Sequence, residues 1–218
     1  MLRHQRLSLE QDLKVARFCQ FSRAKVVDPE IVMLIEALIE KYSSDFTASI
    51  QLFDVLLSSI GHEDYRLYCF VLGRYLQSLV GLPRDKNPLV DHRGQEAFKD
   101  HDLVGVSKRE PKEFVAQVFE PVLQLMEQHA RPAYRSKGLM VESIWGFSHC
   151  RDSLPMGLLL DAIKNVIEEE PECTITIYKR LCGIEIETAH QMLLQILTAA
   201  DYKLAANYLL DHWNKWGI

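Results

Sequence analysis

Residues 45–81 read DFTASIQLFDVLLSSIGHEDYRLYCFVLGRYLQSLVG, and this stretch decides the fold class. Phe46, Ile50, Phe53, Leu57 and Ile60 recur at the spacing of one helix face, as do Tyr65, Tyr68, Leu72, Leu76 and Leu79 in the second half. Both halves carry apolar residues off that stripe: Leu52, Val55 and Leu56, then Leu67, Phe70 and Val71. A helix apolar around most of its circumference needs neighbours on several sides. The spacing therefore predicts two central helices. Asp45 caps the first, Gly61 stops it in the left-handed conformation that glycine adopts cheaply, and Gly81 ends the second.

Upstream, Ser8 with Gln11 forms the capping box of a helix running to about Arg23, with Leu9, Leu13 and Ala16 as its stripe. Asp28-Pro29-Glu30 opens a second helix, with Ile31, Leu34, Ile35, Leu38 and Tyr42 on one face. Downstream, Leu82 to Arg109 has two prolines, two glycines and no sustained period, which predicts one long loop holding at most a helical turn at Gln95–Lys99. Helical spacing resumes from Glu110 to about Ala130 with Phe114, Val118, Val122, Leu125 and His129 inward, and Pro121 predicts a kink. Residues 133–150 read as a further helix with Leu139, Met140, Ile144 and Phe147 inward. Pro155 opens the next one, whose wide inner face is Leu158, Leu159, Ala162, Ile163, Val166 and Ile167. Glu168–Pro171 ends it, and three carboxylates opposing the macrodipole predict a frayed, solvated end. Three short helices follow, near 175–181, 185–199 and 201–216. The β-branched CTITIY at Cys173–Tyr178 also suits a short strand, with no partner strand in view.

The expected fold is all-α: an irregular multi-helix bundle or short α-solenoid of about nine to ten helices with one long loop. The expected organisation is an N-terminal helical bundle over 1–81, a polar loop over 82–110 and a C-terminal helical part over 111–218, packed with the first as one domain.

A chain of 218 residues, 48% hydrophobic, can bury a sizeable core. A net charge of -5 supplies no general attraction to nucleic acid or anionic membrane. No apolar run reaches the roughly 18 residues of a membrane span, so no transmembrane segment is expected. MLRHQRLSLEQDL reads as a polar lead-in to a helix and not as a signal peptide. Five cysteines without a Cys-x-x-Cys fit free thiols in a reducing compartment, which makes a cytoplasmic location the expectation.

Four constellations carry chemistry-bearing residues. Asp91, His92, Asp100, His101 and Asp102 offer oxygen and imidazole ligands for a metal, but their spacing matches no metal motif and no helix fixes them. They read better as a polar surface loop, with His92 and His101 available to a partner. His149-Cys150 has the groups of a thiolate nucleophile and its base. Helical neighbours point about 100° apart, so a helix end is the better reading.

Cys173–Leu197 resembles a helix-turn-helix: a short helix, a turn at Gly183, and a longer helix with Ala189, Met192 and Leu193 inward. That resemblance implies nucleic-acid contacts through Lys179, Arg180 and His190. Glu185 and Glu187 would repel phosphates there, so nucleic acid is an unfavoured partner. Finally, Trp213 and Trp216 extend a stripe with Tyr202, Ala205, Tyr208 and Leu209. Trp213, Trp216 and Tyr208 are the expected partner-binding anchors, since aromatic residues carry much interface energy.

Phosphate-loop and nucleophile-elbow motifs are absent from the sequence. The expected function is therefore a non-enzymatic protein–protein interaction module, an adaptor or regulatory subunit of a larger complex. Its partner is another protein, with no cofactor and no evident small-molecule substrate. The alternative is a nucleic-acid-binding regulator acting through 174–197. A metal-dependent enzyme and a lipid-binding helical protein are the remaining rivals.

Overall fold

In a computed structural model, the described residues are 8–17, 29–60, 64–87, 103–132, 140–141, 155–200, 203, 205–208 and 210–211. Nine α-helices lie among them, in two compact units, Met1–Asp102 and Leu103–Ile218. Each unit is a small helical bundle, so the chain is all-α.

The first unit contains α1 (Leu9–Arg17), α2 (Pro29–Tyr42), α3 (Phe46–Ile60), α4 (Tyr65–Leu79) and a 3-10 turn at Arg84–Lys86. The capping box forms as read: the Ser8 N–H donates to Gln11 Oε1 at 2.9 Å and the Gln11 N–H to Ser8 Oγ at 3.4 Å. Asp45 Oδ1 accepts the Ala48 N–H at 3.0 Å and so starts α3. Asp64, a cap that sequence reading passes over, starts α4 by accepting the Leu67 N–H at 3.0 Å. Past the end of α4, Gly81 takes the left-handed conformation, φ +87°. Gly61 lies outside the described residues.

Helix α3 touches α1, α2 and α4. Its exposed side is the polar stripe Thr47, Gln51, Asp54 and Ser58, while Leu52, Phe53, Leu56, Leu57 and Ile60 are buried. On α4 only Arg66, Arg74 and Gln77 are exposed, and the Tyr75 ring stacks on Phe53 at 4.0 Å between centroids. Burial pushes the Tyr75 phenol well above its ordinary range. The faces of α1 and α2 differ from expectation. Ile35, Leu38 and Ile39 are the buried residues of α2, and Leu34 is exposed because Ile39 takes its share of the core face. On α1 the buried positions are Asp12 and Ala16, with Leu13 only half-buried. Asp12 is inside because it has partners there: it accepts the Tyr42 hydroxyl at 2.6 Å and pairs with Lys41.

The second unit contains α5 (Leu103–Arg109), α6 (Pro111–His129), α7 (Pro155–Glu169), α8 (Cys173–Cys182) and α9 (Glu187–Ala200). Residues 205–208 and 210–211 are also helical. Helix α7 touches α5, α6, α8 and α9, and every residue of its expected inner face from Leu158 to Ile167 is buried. The expected face of α6, from Phe114 to His129, is buried in full. The helix continues through Pro121, itself buried, where the Gln117 carbonyl loses its usual N–H partner.

Two expectations are overturned. The end of the 82–110 segment is not loop but α5, whose seven residues are too few to show a period although Leu103, Val106 and Ser107 are buried. At 140–141 the chain is not helical: Met140–Val141 (β2) pairs antiparallel with Arg131–Pro132 (β1). CTITIY takes the helix expected near 175–181 and not the strand it also suits, and Ile177 and Leu181 are buried on α8.

Candidate functional site

Helices α7, α8 and α9 leave an open groove of about 940 Å³ where their ends come together. Its floor is apolar, from Ile167 at the end of α7 and Ile196 on α9, both buried. Ala199 and Ala200 close α9 with short side chains, which leave space that larger ones would fill. One wall is α8, with Tyr178 and with Ile175, a β-branched apolar residue 64% exposed to solvent. Pro171, in the turn joining α7 to α8, also lines it.

Four charges rim the groove: Lys164 and Glu168 on α7, Glu172 at the start of α8, and Lys179 farther along it. Among the described residues, none of the four belongs to an ion pair. Their neighbours behave differently. Lys112 in the first turn of α6 holds Glu170 Oε1 at 2.6 Å and Glu169 Oε2 at 3.3 Å. Each of these charges opposes the dipole of its own helix, and each is compensated by the other. The end of α7 is solvated as expected, but Glu169 and Glu170 are paired with α6 instead of standing alone. Hydrogen bonding to Glu170, then Glu169, raises the Lys112 ammonium, and Lys112 in turn lowers Glu170. Arg180 ties α8 to α6 in the same way, reaching Glu120 and Glu127 at 2.8 and 3.0 Å. These pairs link α6 to α7 and α8, and none of the four rim charges takes part in them.

The structure separates the residues singled out by sequence. Lys179 lines the groove. Arg180, beside it, is already engaged by two carboxylates and is not open to a phosphate. His190 is 1% exposed, with Nδ1 on the Tyr208 hydroxyl and the two rings stacked 6.0 Å apart. So His190 is a core residue here rather than a nucleic-acid contact. Tyr208 is likewise buried, edge-on to Tyr178 at 6.1 Å, and its phenol is raised by burial. It is a packing residue in place of the expected partner anchor. Trp213, Trp216, His149, Cys150 and the cluster Asp91, His92, Asp100, His101 and Asp102 lie outside the described residues.

Sequence reading missed the groove, yet one signal was present. Ile175 and Ile177 are two apart on a helix, about 200° around it, so both cannot face one core. Once Ile177 is buried, Ile175 points away.

Cys173 sits at the start of α8 near Glu170, and burial, then its hydrogen bond to Glu170, pushes its thiol up, away from thiolate character. Among the described residues no group of three His, Cys, Asp or Glu could hold a metal ion, and no helix is long and apolar enough to cross a membrane. The groove residues offer apolar surface framed by charges. Comparison of the chain with family models, with curated proteins and with solved structures finds no match.

Proposed function

We propose that this chain is a non-enzymatic protein-binding module, an adaptor or regulatory subunit that works inside a larger complex. The observation that supports this reading is the α7–α8–α9 groove: an apolar floor, a solvent-facing Ile175 and four rim charges outside the ion-pair clamps of the same unit. Ile175 extends the apolar surface of the groove floor, and charges at the edge of an apolar patch select what covers it. Affinity purification of the tagged chain from its native host tests the proposal. A second protein should be recovered in stoichiometric amount. Recovery of the chain alone, at several salt concentrations, would overturn it.

A further inference from the structure

The charges around the groove are not scattered, and their order names a class of partner. Glu168, in the last turn of α7, and Glu172, just before α8, flank Pro171 in the turn between the two helices. Lys164 lies four residues before Glu168 and Lys179 seven residues after Glu172, so each lysine is about 6 to 10 Å farther along its own wall. The two glutamates lie nearest the α7–α8 turn and each lysine farther from it, with Ile167, Ile175, Tyr178 and Ile196 lining the same groove. All three walls are helical, so no sheet edge is present to add a strand to. A groove between helices is filled by ridges of another helix, whose apolar side chains recur at three and four residues.

We infer that the groove receives an amphipathic α-helix of another protein, with basic residues over Glu168 and Glu172 and acidic residues over Lys164 and Lys179. This rests on the protein-binding reading above and specifies its partner. The opposite charges on the incoming helix are one to two turns apart, about four to seven residues, and its apolar stripe lies between them. An amphiphile with one anionic head could satisfy the lysine end but would leave Glu168 and Glu172 beside its tail. A uniformly charged helix would meet repulsion at one end.

The test uses the whole chain and fluorescence polarisation with three labelled 14-residue peptides, acetylated and amidated. All carry the same leucine stripe. One has two arginines about four to seven residues from two glutamates, the second has only arginines at those positions, and the third only glutamates. The mixed peptide should bind most tightly, with each uniform peptide weaker by at least about fivefold. Ile175→Asp, at an exposed position, should weaken the mixed peptide by at least about tenfold. The double variant Lys164→Glu with Lys179→Glu makes the rim wholly acidic and should prefer the all-arginine peptide, a gain that unfolding cannot mimic. Equal binding of all three peptides, an Ile175→Asp variant that binds as well as the original, or laurate displacing the mixed peptide would overturn the inference. So would self-association of the chain that Ile175→Asp abolishes. A partner recovered equally by the original chain and by Ile175→Asp would remove the helix-in-groove inference alone, whereas recovery of no partner removes the reading beneath it.

Discussion

The Arg180 guanidinium holds the Glu120 carboxylate as a fork, with Nε 3.0 Å from Oε2 and Nη2 2.8 Å from Oε1. Two parallel bonds fix the relative angle of α6 and α8 as well as their contact. The hydrogen bonds from Arg180 hold the Glu120 carboxyl below the usual carboxylate range. A depressed folded value stabilises the protein above the ordinary carboxylate value of about 4.3, and that stabilisation is lost as pH falls below it. Glu120 is nearly half exposed, so solvent screens the pair, and Arg180→Ala should cost about 1 kcal/mol near neutrality. Urea denaturation at pH 7 and again near pH 2.5 checks this. The gap between variant and original should close at the lower pH. A gap that persists unchanged would mean that Arg180 acts through its alkyl stem.

Asp12 makes a different prediction because it is buried, 3% exposed, on a helix of only nine residues. The Tyr42 hydroxyl and Lys41 both converge on Oδ2. Asp12→Ala leaves the Tyr42 hydroxyl without this acceptor and should destabilise the first unit by about 1–3 kcal/mol. Asp12→Asn, which keeps an acceptor but not the charge, should fall between the two in thermal melts. If Asp12→Asn proves as stable as the original, the charge contributes nothing and the contact is a neutral hydrogen bond.

The long helices were legible because they repeat their own evidence. On α6 and α7, five or six apolar positions fix the phase, and an error in one is corrected by the others. Shorter pieces lack that redundancy. Helix α5 has two turns, and the β1–β2 pair consists of residues that find each other across 132–140. On α1, period alone selects Leu13, whereas the core holds Asp12 because of Tyr42, thirty residues away. The groove was the least legible feature. Its floor and walls come from three helices, whose approach joins residues far apart in sequence, as Arg180 and Glu120 do.

The Phe53–Tyr75 stack should carry much of the stability of the first unit. The rings lie 16° from parallel, and both side chains are nearly inaccessible. Phe53→Ala removes the stack and leaves a cavity, at a cost of about 3–5 kcal/mol. Gln51→Ala and Ser58→Ala, on the exposed stripe of the same helix, should stay within about 0.5 kcal/mol. Denaturation midpoints would rank the three. Similar losses from all of them would contradict the assignment of the core face of α3.

Gly81 isolates a purely conformational effect. Its φ of +87° lies where L side chains are strained, yet nothing comes within 4 Å of where a Cβ would be. Gly81→Ala therefore meets no clash, and its cost is the left-handed backbone alone, about 1–2 kcal/mol. Gly81→Asn should cost less than the alanine variant, because asparagine tolerates this region better. The discriminating measurement is the order of the two variants in a chemical melt. An alanine variant as stable as the original would show that the chain after Leu79 relaxes into another turn, and that the end of α4 does not depend on glycine.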